Sequence, residues 1–218
     1  MQVERFHDRA DAGRRLAARL EAYAGQPGVH VFGLARGGVP VAFEVAMALG
    51  APLDVLAVRK IGAPGQPELA VGALAPGGVR VLNDDLVRSL GVTPALIDRI
   101  AAREWQALTR QERMWRGDRP RPDLRNGTVI LIDDGLATGA SMRAAIAWAR
   151  HQEAARVVVA VPVAAPATMS RLRREADEIV AVAVPAGFSA VGEWYDDFSQ
   201  TSDAEVTDRL ARAAGRPA

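Results

Sequence analysis

One stretch, Val129-Ile130-Leu131-Ile132-Asp133-Asp134-Gly135-Leu136-Ala137-Thr138-Gly139-Ala140-Ser141, constrains this chain more than any other. Four apolar, mostly β-branched residues run into two adjacent carboxylates, then a loop of small residues and an Ala-rich helical segment. An uninterrupted apolar run fits a parallel strand buried on both faces, because a strand with one wet face would alternate. The acids then stand at the carboxyl end of that strand, the edge at which open α/β sheets take their ligands. The loop beyond offers backbone N–H groups, with Ser141 near the helix start. Such a corner suits a phosphate. The plain alternative is an ordinary strand-to-helix turn with two solvated acids and a hydroxyl cap.

The rest of the chain repeats the alternation of strand and helix. Residues 8–24 read as an amphipathic helix carrying Leu16, Leu20 and Tyr23, with Asp8 or Asp11 as its cap. A strand over 29–34 leads through Ala35-Arg36-Gly37-Gly38-Val39-Pro40 into a helix over 41–49. There Gly37 and Gly38 let backbone amides approach a ligand, and Arg36 adds charge-assisted bonds suited to phosphate oxygens. A second strand over 52–58 ends in Arg59-Lys60, a pair that either faces the same crevice or is solvated.

Residues 61–83 break the pattern. Gly62, Pro64, Gly65 and Pro67 give a loop, and 68–74 with 79–82 form a hairpin about Pro76-Gly77-Gly78. A long helix begins at Thr93 or Pro94 and reaches Trp115, with Trp105 as core or interface and Trp115, near its Arg-rich end, left open as a partner contact. Beyond a Pro- and Arg-rich connector over 117–126 come a helix over 142–151, a strand over 156–162, a helix over 166–176 and a strand over 178–184. A terminal helix over 203–213 is capped by Ser202 or Asp203. The expected fold class is α/β, a doubly wound parallel sheet in a single domain over 1–218.

Composition narrows the function. In 218 residues the formal net charge is +1, so no global field argues for nucleic acid or an anionic membrane. There are no cysteines, which excludes disulfides and thiolate chemistry. No apolar run reaches membrane-spanning length, and the polar start Gln2-Val3-Glu4-Arg5 is not a signal peptide, so the expectation is a cytoplasmic protein. Lys60 is the only lysine among many arginines, either by chance or because its site needs a compact ammonium. Near the end, Phe188, Trp194, Tyr195 and Phe198 cluster with Glu193, Asp196 and Asp197. They form either a packing cap for the final strand or a stacking wall for a planar ring.

The strand, the acid pair and the loop of the form Ala-Thr-Gly-x-Ser at Asp133, Asp134, Ala137, Thr138, Gly139 and Ser141 resemble the signature of the type I phosphoribosyltransferases. Those enzymes bind 5-phosphoribosyl 1-pyrophosphate (PRPP). The run Gly33-Leu34-Ala35-Arg36-Gly37-Gly38-Val39-Pro40, together with Pro67-Glu68-Leu69-Ala70-Val71-Gly72-Ala73, is similar to bacterial phosphoribosyltransferase-domain proteins of undefined acceptor. The resemblance implies a Rossmann-like phosphoribosyltransferase fold with a flexible hairpin lid over 61–83 and a C-terminal hood over 186–218. It places the 5′-phosphate in Ala137, Thr138, Gly139, Ala140 and Ser141, and the ribose hydroxyls on the catalytic pair Asp133 and Asp134. Pyrophosphate lies against Arg36, Gly37, Gly38, Arg59 and Lys60, bridged by Mg²⁺, with a non-proline cis peptide at Ala35-Arg36. The run Val191-Gly192-Glu193-Trp194-Tyr195-Asp196 resembles the closing segment of hypoxanthine-type members, which makes Asp196 a metal ligand and Phe188 or Trp194 a base-stacking residue.

The implied activity is transfer of ribose 5-phosphate from PRPP to a purine, pyrimidine or other nitrogenous base. The partners are then PRPP and that base, with no nucleic acid and no membrane, and room for a homodimer. Hypoxanthine-type enzymes carry a proton-handling Asp where this chain has Ala137, so neither that residue nor the base carries over. Glu68, the only carboxylate of the hairpin, is a candidate for proton transfer. The alternative is a PRPP-binding regulator that catalyses no transfer, against which the near-neutral charge and lack of a DNA-binding appendage speak. A nucleotide-binding Rossmann protein is a third reading, but no Gly-x-Gly-x-x-Gly follows the first strand.

Overall fold

The computed structural model describes residues 4–117 and 119–215, so Gln2, Val3 and the extreme ends of the expected domain lie outside the described residues. Its centre is a five-stranded parallel sheet in the order β2-β1-β6-β7-β8, made of Leu53–Leu56, Val29–Leu34, Thr128–Ile132, Arg156–Val163 and Glu178–Ala183. β6 is the middle strand, pairing Phe32 of β1 with Leu131 and Val159 of β7 with the same residue. The period of two along a strand explains its unbroken apolar run. Val129 and Leu131 pack towards α5 (Ala140–His151) and α6 (Pro166–Leu172) with Trp148 and Leu172. Ile130 and Ile132 pack towards α1 (Arg9–Ala17) and α2 (Gly38–Leu49) with Leu16, Val41 and Val45. Both faces are dry, as parallel sheets require.

Strand order reverses between β1 and β6, where one chain connection leaves to each side of the sheet. That creates a crevice at the carboxyl ends of these two strands. The acids follow β6 and the Arg36-Gly37-Gly38 bend follows β1, so both open onto this switch point.

A second, antiparallel sheet stands beside the first, built from β3 (Arg59–Ala63), β4 (Gln66–Ala75) and β5 (Val79–Leu82). The expected loop over the first of these residues is therefore a strand. Its register with β4 shifts around Gly62, so the residue that suggested a loop marks an irregularity in a ladder. β2 ends at Leu56, and Arg59 and Lys60 open β3 instead of closing β2. The small sheet is held from two sides. Ala73 and Ala75 reach the core around α5, while Ile61, Val71 and Leu74 join Leu108 and Trp115 of α4 (Pro94–Arg116).

Other boundaries differ for identifiable reasons. α1 is capped by Asp8, which accepts from the Asp11 amide, and stops at Ala17 because Arg19 and Leu20 bond back three residues in tighter 3₁₀ fashion. A short helix α3 (Asp84–Ser89), capped by Asn83, was not expected, although Asn followed by two acids is a helix-start signal. Trp115 is buried, its indole N–H donating to Asp203 at 3.1 Å, and is no surface contact. α7 (Asp203–Ala214), capped by Ser202, buries Val206 and Leu210 against the α4 side of the small sheet. No helix among the described residues is long and apolar enough to cross a membrane.

Candidate active site

The acid pair sits in a mostly buried corner. Asp133 Oδ1 accepts the Asp134 amide at 2.9 Å, which turns the first carboxylate back over the chain. Burial pushes the Asp133 carboxyl well above its ordinary range, and the neighbouring Asp134 charge adds to this; Lys60 and Arg9 pull the other way. Burial also raises Asp134, but the Arg9 guanidinium opposes it. Two adjacent carboxylates with little water around them resist ionising together, so the corner favours a cation or a hydrogen-bond donor beside them.

Arg9 joins this corner, and sequence reasoning did not find it. From the first turn of α1 it donates to Asp134 Oδ2 through Nε at 2.9 Å and Nη2 at 2.8 Å. Its third nitrogen donates to the Ser199 carbonyl at 2.6 Å, and its guanidinium carbon lies 4.1 Å from the centre of the Phe198 ring. The Tyr195 hydroxyl donates to the Asp134 carbonyl at 2.6 Å, and burial raises that phenol's pKa. Nothing local announces this arrangement, since the partners lie 125 residues apart in the chain.

The glycine bend meets the acids directly. A Cβ on Gly37 would lie 2.0 Å from Asp134 Oδ2, and one on Gly38 would lie 2.5 Å from the Ile132 carbonyl. Only hydrogen fits at either position. The Ala35-Arg36 peptide bond is cis, as the resemblance implies. Arg36 itself points towards the start of α7, 3.8 Å from Asp203.

On the other side, the loop turns through Gly139 in a left-handed conformation (φ +79°) into α5, whose first turn has no side-chain cap. Its leading N–H groups are therefore open to an anion. Ala137, Thr138 and Ala140 line a cavity of about 420 Å³, which Lys60, Glu68, Asn83, Arg143 and Arg171 complete. Thr168, buried on α6, braces the loop by donating to the Ala137 carbonyl. A wider groove of about 650 Å³ is lined by α4 alone, around Trp105 and Met114, and carries no acid.

The structure thus gathers Asp133, Asp134, Gly37, Gly38, Lys60 and the 137–141 loop around one crevice. Arg59 turns away into a pair with Glu104 of α4 at 2.7 Å. Asp196 pairs with Arg5 at 3.3 Å, both side chains more than half exposed. Phe188 and Trp194 pack beside Phe6, Val163 and Tyr195. That is the packing-cap arrangement at the end of the final strand.

The fold and this corner define a doubly wound α/β protein with an acid pair and an open helix start at its switch point. Residues 2–190 match the family described as phosphoribosyl transferase domain. The chain is 50% identical over 208 residues to proteins bearing phosphoribosyl transferase names from two strains of Mycobacterium tuberculosis, covering 95% of this chain and 47% of theirs. It spans about half the length of these curated relatives. Among solved structures it is similar to TT1426 from Thermus thermophilus, with TM-score 0.82 and 45% identity over 97% of this chain and 100% of that one. The AQ2163 protein from Aquifex aeolicus, at TM-score 0.54 and 12% identity over 93% of this chain and 84% of that one, shares the fold. The chain belongs to the phosphoribosyl transferase domain family.

Proposed function

We propose that this chain binds PRPP at the β1–β6 switch point and transfers its 5-phosphoribosyl group to a nitrogenous base, releasing pyrophosphate. The observation that carries the reading is the register of acid pair and phosphate loop, separated by two residues on one central strand end. The 5′-phosphate is held by the open amides at the start of α5 with the hydroxyls of Thr138 and Ser141. The ribose hydroxyls donate to Asp133 and Asp134. Pyrophosphate lies along Gly37, Gly38 and Lys60, with Arg36 and Arg59 joining only if they leave Asp203 and Glu104.

In the transfer, the bond from C1 to pyrophosphate breaks with its electron pair going to the leaving group. The base nitrogen's lone pair forms the new bond, and its proton is lost. Positive charge that develops on the ribosyl centre is stabilised by the two carboxylates, and negative charge on the leaving group by Lys60. The donor set suits Mg²⁺, which binds through one or two carboxylates plus substrate phosphates. The described residues hold no cluster of three or more acidic, His or Cys side chains to cage an ion. Asp133 and Asp134 are the carboxylates that would hold it, with Asp196 in reserve once freed from Arg5. When bound, the ion neutralises charge on the pyrophosphate.

The test is pyrophosphate release from PRPP across a panel of purines, pyrimidines and other nitrogen heterocycles. Release with any one establishes transfer and names the acceptor. Tight PRPP binding without release on any base would replace the enzyme with a sensor. Absence of PRPP binding would overturn both.

A further inference from the structure

We propose that the phosphate-loop cavity continues into a second anion subsite, which takes the outer phosphates of a linear oligophosphate such as a nucleoside 5′-triphosphate. The proposal rests on the PRPP reading only for seating a sugar phosphate on the loop; the subsite itself stands on geometry. Beside the cavity of about 420 Å³ that the loop lines is a groove of about 830 Å³. Leu82, Asn83, Leu86, Arg143 and Arg171 line both, so the two volumes adjoin across these side chains. α6 carries the groove away from the loop. Thr168 in its first turn donates to the Ala137 carbonyl, and Arg171, three residues on, shares that face. Arg174 follows after three more, its amide donating to the Arg171 carbonyl at 3.3 Å. From the other side comes Arg143, which closes the first turn of α5 by donating its amide to the Gly139 carbonyl at 2.9 Å.

The charges of the groove do not cancel. Arg143 Nε donates to Glu175 at 2.8 Å, which fixes the guanidinium and leaves its two terminal nitrogens without a partner among the described residues. Arg88 on the opposite wall is paired with Asp85. That leaves Arg171 and Arg174, neither in an ion pair among the described residues, against the exposed Asp84 of α3. The groove is therefore positive. A terminal phosphate monoester is met in full by the open amides and the hydroxyls of the loop. Guanidiniums converging beyond it suit further phosphate groups, because a planar fork gives two parallel bonds to phosphate oxygens. A nucleoside 5′-triphosphate presents its groups in the matching order: ribose at the acids, first phosphate on the loop, the rest along Arg143, Arg171 and Arg174. An inorganic oligophosphate presents the same chain without the sugar. Either one occupies the loop that PRPP needs, and so competes with it.

The experiment is calorimetry on the full chain in magnesium-free buffer of fixed ionic strength, with orthophosphate, pyrophosphate and tripolyphosphate as probes. It compares wild type, a double variant carrying Arg171→Gln and Arg174→Gln, and Arg173→Gln. Arg173 is exposed and borders neither cavity, so its substitution removes a neighbouring charge and leaves the groove intact. Tripolyphosphate should bind wild type at least about tenfold more tightly than orthophosphate, and the double variant should lose about that factor, the scale of a charged hydrogen bond. Arg173→Gln should cost less than about twofold, since an exposed charge outside the groove is screened. Equal affinity for all three probes, no loss in the double variant, or an equal loss in Arg173→Gln overturns the subsite. PRPP affinity, measured with Mg²⁺, should match wild type in Arg174→Gln; a loss as large as that for tripolyphosphate would merge the groove with the PRPP site and overturn it as a second one. Tripolyphosphate binding as expected in a wild type that takes no PRPP leaves the subsite standing and overturns the PRPP reading instead. Adenosine and uridine triphosphates separate the two sources. Binding tighter than tripolyphosphate, with displacement of PRPP, assigns the groove to a nucleotide, and no gain over tripolyphosphate assigns it to the inorganic chain.

Discussion

The β6–α5 corner and the small β3–β5 sheet both face the cavity, yet they are built on opposite principles. The corner hangs from the middle strand of a sheet paired on both sides, and its groups lie within nine consecutive residues, Asp133 to Ser141. The small sheet lies outside that ladder and reaches the cavity through scattered residues, chiefly Lys60 and Glu68. On the PRPP reading, a rigid, sequence-local corner suits the part of the ligand that never varies, the phosphorylated sugar. A separate sheet supported from the side can change without disturbing the core, which suits the part that distinguishes one relative from another.

The strongest way to break this comparison is at the corner. Asp134→Asn should lower PRPP turnover by about 100- to 1000-fold, the scale of losing a pre-aimed electrostatic group, while the fold survives because the amide oxygen still accepts from Arg9. Lys60→Ala, on the small sheet, should cost about tenfold to a hundredfold, as for one charged hydrogen bond. Steady-state pyrophosphate release and circular dichroism check both. Equal losses would mean that the two regions share one role, and unchanged PRPP binding in both variants would sink the PRPP reading.

The same contrast governs what could be read from the chain. The corner, the glycine bend after β1 and the doubly wound sheet follow from local runs, because buried parallel strands are continuous in apolar character. Residues 61–63 were expected as a loop because Gly62, Pro64 and Gly65 carry a turn's composition, and only pairing with β4 makes them a strand. α3 had a readable start at Asn83-Asp84-Asp85. Arg9 had none: an arginine in a helix rich in arginines acquires meaning only when folding brings it to Asp134. Arg59 illustrates the reverse, a cation with a plausible motif position that an acid on α4 has claimed.

Next in size is Gly37→Ala. The added methyl carbon would sit 2.0 Å from Asp134 Oδ2, so either the bend or the Arg9-Asp134 pair must move. Overpacking of this kind costs about 1–3 kcal/mol, measurable as a lower denaturant midpoint at unchanged slope. PRPP affinity should fall with it. Retained affinity would show that the bend does not act on the acids.

Asp133→Asn should act in the opposite direction on stability. The folded state raises this carboxyl above its ordinary 3.8, so folding favours the protonated form. The stability this contributes is complete below the unfolded value and is lost as pH rises through the folded midpoint. At neutral pH the ionised group is a cost that an amide removes, while Asn can still accept the Asp134 amide. The melting temperature should therefore rise by a few degrees at about pH 7, about 2–4 °C per kcal/mol for a chain of this size, with no gain near about pH 3. A gain independent of pH would point to packing and not to charge.

The smallest effect belongs to the small sheet's outer anchorage. Arg80 of β5 meets Asp98 of α4 at 2.6 Å, but their side chains are 40% and 63% exposed. Screening by water and the entropy of holding two long side chains cancel most of the attraction, so a double-mutant cycle with Arg80→Ala and Asp98→Ala should give under about 0.5 kcal/mol. The buried Ile61, Val71 and Leu74, packed against Leu108 and Trp115, then carry the attachment. A coupling of about 2 kcal/mol or more would exceed what exposed pairs supply. It would mean that the small sheet is clamped by charge, and that salt should loosen its hold on the cavity. With the expected small value, PRPP affinity in the Asp98→Ala variant should match wild type at every ionic strength. That outcome would separate the polar edge of the small sheet from Lys60, whose charge is felt at the acids.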